Sequence, residues 1–152
     1  MASNQILTFH LAGTEYGLGI LCVQEIRGWS GVTRLPQAPA HALGVINLRG
    51  EIVPILDMRR RLGLPPMELS PSTVVIVIRV AAAGGESALG LVVDGIADVY
   101  DVEQQALQPL PDIGSMQAHD LVHGLTQVTG KTIVLLNSEQ LSLSAATGRS
   151  SQ

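Results

Sequence analysis

The chain has 152 residues, 46% of them hydrophobic and only 14% charged, with a formal net charge of −4. An average soluble domain carries about 25% charged residues, so this one is either mostly core or keeps apolar surface for partners. No basic run extends beyond Arg59, Arg60 and Arg61, which speaks against nucleic acid, and no apolar run approaches the ~18 residues of a membrane span.

In chain order, the opening MASNQ has no basic flank and no apolar core, so no signal peptide is expected. Ile6–Leu11 alternates, with Leu7, Phe9 and Leu11 on one face and Thr8 and His10 on the other. Ala12, Gly13 and Thr14 form a turn, and Tyr16, Leu18 and Ile20 return with period two. In LCVQEIRGW, Val23, Glu25 and Arg27 alternate with Gln24, Ile26 and Gly28. The single cysteine, Cys22, cannot close an internal disulfide, which fits a reducing compartment and a cytoplasmic protein. VTRLPQAPAHAL holds two prolines and reads as a connector.

Gly44–Leu62 reads as a hairpin: short apolar runs at Val45–Leu48 and Ile52–Leu56 flank a turn at Arg49, Gly50 and Glu51. Gly50 supplies the positive φ that a tight turn needs. Pro54 cannot donate a ladder hydrogen bond, so its strand is expected at an edge or with a bulge. Asp57 reads as the N-cap of a helical turn, MRRRL, that Gly63 ends. LPPMELSPS then joins two halves, and STVVIVIRV is apolar at nearly every position, as a strand buried on both faces would be. AAAGGES reads as a flexible hairpin loop, ALGLVVDGIADVYDV as two strands around the Asp94–Gly95 turn, and QALQPLPDIGSMQAHD as the longest irregular piece. Leu121–Leu125 reads as a strand. Asn137 or Ser138 caps a short final helix, and a tail from Thr147 is expected to fray.

The pattern GVINLRGEIVPILD returns 80 residues on as GLTQVTGKTIVLLN, with Gly44 on Gly124, Gly50 on Gly130 and Asp57 on Asn137. Leu18, Gly19 and Ile20 are echoed by Leu89, Gly90 and Leu91, 71 residues on. Two similar β-units follow, about 6–64 and 72–136, in a mostly β chain with only short helices.

FHLAGTEYGLGILCVQEIRGW, TRLPQAP, GVINLRGEIVPILDMRRRL, TVVIVIRV, LGLVVDGIADV and TIVLLN together resemble the CheW family of bacterial chemotaxis coupling proteins. The resemblance runs from about Ile6 to Leu143, and VQEIRGW and GVINLRGEIVPILD are its most specific pieces. It implies one CheW-like domain over 6–143, built as two five-stranded SH3-like barrels that share a hydrophobic core. It implies a non-catalytic adaptor with no cofactor and no direct membrane insertion, placed at receptor arrays on the inner face of the membrane. One barrel would dock on the regulatory domain of a CheA-type histidine kinase, and a chemoreceptor cytoplasmic tip would lie in a groove between the two. The loop AAAGGES is longer than the family commonly has. A paralogous adaptor serving pilus motility or surface sensing is an alternative within the family; a small-ligand-binding β-protein is one outside it.

Arg49 reads either as a solvated turn arginine, the ordinary place for this residue, or as a partner contact held by Glu25. A Glu25–Arg49 pair would orient the guanidinium. Glu25 by itself reads as an exposed strand carboxylate. Val23 and Ile26 are core or interface residues; both cannot face one side of a regular strand, so one of them is expected to be exposed. Gly44 and Gly50 are structural turn residues, and Trp29 reads either as packing under the connector or as a partner anchor. His10, His41, His119 and His123 fit no metal spacing; His119 and His123 would share a helical face, but they fall around a strand. Asp94, Asp98 and Asp101 have no partner acid or nucleophile and read as turn and surface carboxylates. No GxSxG, phosphate loop or Cys/His pair is present, so no enzyme is expected. With four aromatics, Phe9, Tyr16, Trp29 and Tyr100, spread along the chain, neither a PxxP groove nor a base-stacking face is expected.

Overall fold

Successive side chains of a strand point to opposite faces, so a run that is apolar at every position needs cover on both sides. Val74–Ala82 is such a run. In the computed structural model of the protein, which describes residues 5–82, 84–102, 107–109 and 121–141, this strand is buried as expected. Val75 and Val77 enter one apolar cluster, and Ile76, Ile78 and Val80 enter another.

Among the described residues ten strands form two five-stranded sheets. They are β1 (Gln5–Leu11), β2 (Thr14–Gly19), β3 (Val23–Gly28), β4 (Ala42–Leu48), β5 (Glu51–Asp57), β6 (Val74–Ala82), β7 (Gly85–Val93), β8 (Gly95–Asp101), β9 (Val122–Val128) and β10 (Lys131–Leu136). The first sheet runs β8-β1-β2-β10-β9 and the second β3-β6-β7-β5-β4. All pairings are antiparallel except β10 with β2 and β5 with β7. One cluster lies between the sheets, joining Leu7, Phe9, Leu11 and Leu18 to Ile76, Ile78, Leu89 and Leu91. Each sheet also covers a cluster of its own: Val53, Ile55, Val75 and Val77 in the second, Ile6, Ile133 and Leu135 in the first. The fold is mostly β, in two five-stranded units with a shared core.

The repeat extends to backbone detail. The turns of β4–β5 and β9–β10 both carry two left-handed residues, Arg49 (φ 52°) with Gly50 (φ 89°) and Thr129 (φ 49°) with Gly130 (φ 82°). Two residues of this kind match the twist of the strands they join. Both hairpins bulge at the same point, where Ile55 and Leu56 face Gly44 and Ala42, and where Leu135 and Leu136 face Gly124 and Val122. A Cβ on Gly44 would lie 2.3 Å from the Thr33 carbonyl oxygen, and one on Gly124 would lie 2.7 Å from that of Gln108. Both glycines therefore let a connector cross close to the hairpin. The other echo is shifted: Gly90 lies beside Ile55 and Gly17 beside Leu135, so β2 and β7 correspond at 73 residues, not 71. A two-residue slip leaves both faces of a strand unchanged, so a hydrophobic pattern cannot detect it.

The expected units, 6–64 and 72–136, are sequence repeats but not the spatial units. β3 leaves the β1–β2 hairpin to pair with β6, and β8 leaves β6–β7 to pair with β1. The crossings are short: a 3-10 turn at Ile20–Cys22, and the single residue Asp94. Each repeat thus supplies strands to both sheets. Ile20 belongs to this turn and not to the strand that ends at Gly19. The AAAGGES stretch is largely strand, since Ala81 pairs with Glu86 and Ala82 with Gly85.

Pro54 lies in an interior strand, not an edge, and the bulge is in the facing strand at Leu43. The amide and carbonyl of Val45, its cross-strand neighbour, bond to Thr33, so Pro54 needs no ladder bond on that side. On the other side the parallel pairing starts one residue later, at Ile55. Asp57 caps α1 (Met58–Arg61) by accepting from the amides of Arg59 and Arg60, and Gly63 (φ 76°) follows it. Asn137 caps the helical turn at 138–141. Of the long irregular stretch only 107–109 is described, and the tail from Thr147 lies outside the described residues.

A Cβ on Gly90 would fall 2.4 Å from Ile55 Cδ1, whereas Gly19 has nothing within 4 Å. Gly90→Ala is expected to lose about 1–3 kcal/mol, and Gly19→Ala to stay within about 0.5 kcal/mol. Denaturant melts of the two variants check this; equal effects would contradict the parallel β5–β7 contact.

Candidate functional site

Arg49 adopts φ 52° in a tight turn that Asn47 supports by accepting from the Gly50 amide at 2.9 Å. The turn carries the Arg49 side chain to Glu25 of β3, where the two form an ion pair. β3 and β4 stand at opposite ends of the second sheet's order, so this pair joins its two edges. The other carboxylate oxygen of Glu25 accepts from Arg27 at 3.4 Å. The Arg49 hydrogen bond holds the Glu25 carboxyl below the usual carboxylate range. Glu25 engages one nitrogen of a guanidinium that has five donors. The Arg49 side chain is 67% exposed, so most of the fork faces solvent.

A bulge aims this carboxylate. Val23 faces Ile78 and Glu25 faces Val77, which leaves Gln24 as the extra residue. Residues directly opposite each other share a face, so Val23 lies on the central-cluster side while Glu25 and Arg27 turn to the side of Val75 and Val77. Ile26 faces Ile76 and so returns to Val23's side. The expected simple alternation is therefore corrected, because β3 is not regular and Val23 and Ile26 do share a face. Val23 packs against the central cluster while Ile26 is 46% exposed, so one of the two is open to solvent. Ile52, just after the turn, is also exposed. Of the six residues singled out, Arg49, Glu25 and Gly50 meet at one end of the second sheet, with Val23 and Ile26 along the same strand as Glu25. Gly44 sits apart, in the hairpin bulge. Trp29 is half-buried against the second sheet's own cluster with Val32 and Leu69.

A second ion pair was not legible in the sequence. Arg59 of α1 grips Asp94 with two donors, Nε at 2.8 Å and a terminal nitrogen at 2.6 Å, and also donates to the Pro65 carbonyl at 2.8 Å. Asp94 in turn accepts from the Ala12 amide at 2.9 Å. Asp94 is the crossing between β7 and β8, and Ala12 lies in the β1–β2 turn, so the cluster ties the two sheets together. The Arg59 contact and burial act in opposite directions on Asp94, and the hydrogen bonds prevail, holding its carboxyl below the ordinary value. Asp94 reads as a turn carboxylate in sequence, and no spacing signal links it to a residue 35 positions away. Among the described residues no group of three His, Cys, Asp or Glu could hold a metal ion; His119 lies outside them.

The CheW-like domain family matches residues 5–145. The chain is 35% identical over 138 residues to a probable chemotaxis protein CheW of Rhizobium etli, covering 91% of this chain and 86% of that one. It is 37% identical over 138 residues to the chemotaxis protein CheW of Klebsiella aerogenes, covering 91% and 81%. Among solved structures, the scaffolding protein TtCheW from Thermoanaerobacter tengcongensis aligns with a TM-score of 0.81 at 27% identity, covering 91% of this chain and 92% of that one.

The Arg59–Asp94 pair has a pH signature. Because the Asp94 carboxyl is held below its ordinary value, the pair stabilises the fold fully above that value, and this is lost as pH falls through the lowered one. Asp94→Asn is expected to cost about 1.5–3 kcal/mol at neutral pH. It should also flatten the fall in stability on the acid side of the ordinary carboxylate range. Melts of both proteins from neutral to acid pH check this; parallel curves would mean that folding does not lower the Asp94 carboxyl, and superimposed curves that the pair contributes nothing to stability.

Proposed function

With this chain a member of the CheW family and a non-catalytic chemotaxis coupling adaptor, we propose that it joins chemoreceptor cytoplasmic tips to the regulatory domain of a CheA-type histidine kinase. The observation that carries this reading is the Arg49–Glu25 pair. It presents a guanidinium, oriented by a carboxylate but largely open, at one end of a sheet whose strands β3 and β5 also expose Ile26 and Ile52. Apolar side chains with a fixed charge at their rim suit a helical or β partner, the apolar contacts supplying affinity and the charge fixing register. In this reading Arg49, Glu25, Val23 and Ile26 form the contact surface, and Gly44 and Gly50 shape the hairpin that carries it. The protein would work in the cytoplasm, at receptor arrays on the inner face of the membrane. No helix among the described residues is long and apolar enough to cross a membrane. Signal would pass because the adaptor binds two states of the receptor unequally.

Arg49 makes its contacts from an exposed turn, so Arg49→Ala is expected to keep the melting temperature within about 2 °C. The same variant should weaken binding to the receptor fragment or the kinase regulatory domain by about tenfold or more. Arg49→Lys should fall between, since lysine keeps the charge but loses the planar fork. If Glu25 acts by orienting Arg49, the Glu25→Ala, Arg49→Ala double variant should lose less than the sum of the singles. Affinity and receptor-coupled kinase activity are the readouts. Wild-type behaviour of Arg49→Ala in both would return Arg49 to the role of a solvated turn residue.

A further inference from the structure

Arg79 of β6 touches three other strands at once. One terminal nitrogen donates to Glu51 of β5 at 3.0 Å and to Gln24 of β3 at 3.3 Å. The other donates to the Glu86 carbonyl of β7 at 3.5 Å, and Nε lies 3.7 Å from the Glu86 carboxylate. Arg79 faces Ala88 in the ladder, and the amide of Ala88 donates to the second oxygen of Glu51 at 3.2 Å. Both oxygens of Glu51 are therefore held over β7, toward β6. This matters because Glu51 is the first residue after the Arg49–Gly50 turn. A carboxylate at that place is the nearest in sequence to Arg49, yet among the described residues Arg49 pairs with Glu25 and not with Glu51.

We propose that Arg79 is a positioning residue for the Arg49 surface: it sequesters the Glu51 carboxylate and so leaves the outer donors of Arg49 available to a partner. The proposal rests on the reading that Arg49 contacts a partner. Three arginines, Arg27, Arg49 and Arg79, are paired here with three carboxylates, Glu25, Glu51 and Glu86. Loss of Arg79 would leave an uncompensated carboxylate beside the turn. Its field would oppose an acidic or carbonyl-rich partner whether or not it touched Arg49, since charges closer than about 8 Å are only weakly screened at physiological salt.

The test uses the full chain, with the recombinant kinase regulatory domain and a soluble receptor cytoplasmic fragment as separate probes and Arg49→Ala as the reference. Arg79→Met keeps the apolar stem and removes the charge. It is expected to weaken, by about two- to fivefold, whichever probe Arg49→Ala weakens. Adding Glu51→Gln should restore that affinity, because Gln keeps an acceptor for the Ala88 amide but carries no charge. Arg79→Lys should bind like wild type, and it carries the comparison should Arg79→Met melt early. If Arg49→Ala weakens binding but Arg79→Met does not, or if Glu51→Gln fails to restore it, the positioning role is wrong while the Arg49 reading stands. If Arg49→Ala itself binds both probes like wild type, both fall together.

Discussion

The structure depends on an exchange of strands between its two halves. β3 follows the β1–β2 hairpin directly but pairs with β6, and β8 follows β6–β7 but pairs with β1. Neither repeat can complete a sheet from its own strands. The cluster between the sheets is accordingly common property, with Phe9 and Leu18 from one repeat packed with Ile76 and Leu91 from the other. Arg59 and Asp94 fasten the same junction at the surface, by joining α1 to the β7–β8 crossing and to the β1–β2 turn. Two small units that could each bury little apolar surface alone thus become one body with a larger core.

The candidate site inherits this arrangement. Glu25 and Arg49 both belong to the first repeat, but in the sheet they stand on opposite sides of β6 and β7, which belong to the second. The second repeat's hairpin therefore sets where the two charges meet. β6 also fixes the bulge at Gln24 that turns Glu25 toward Arg49, and it carries Arg79, which holds Glu51 aside. A site carried on paired strands and a two-residue turn is held more rigidly than one on a loop, which would suit the partner contact proposed for it.

Much of this was legible in the sequence, and what was not has a common cause. The hairpin at Arg49–Gly50, the Asp57 cap, the doubly buried β6 and the 80-residue repeat were readable because each depends on neighbours close in sequence or on side-chain period. The period-two pattern of β1 and β3 separates the two faces of a strand but does not say which strand lies alongside, so the exchange was hidden. It also cannot register a bulge, so Val23 and Ile26 read as opposed although Gln24 puts them on one face. Pro54 was misplaced because the edge rule assumes a full ladder on both sides, whereas here pairing with β7 begins one residue later. The Arg59–Asp94 and Arg79–Glu51 pairs span 35 and 28 residues across strand crossings and leave no local trace.

The Glu25–Arg49 surface depends on the interlocking of the two repeats, which cutting the chain in the linker after Glu68 puts to the test. Residues 1–68 hold both charges, and residues 69–152 hold the hairpin that lies between them. The two fragments would be prepared separately and then mixed, with NMR amide dispersion and binding of the kinase regulatory domain followed in each sample. Either fragment alone is expected to give poorly dispersed spectra and no binding, and the combined fragments a dispersed one-to-one complex that binds. A first fragment that folds and binds by itself would show that the repeats need not interlock.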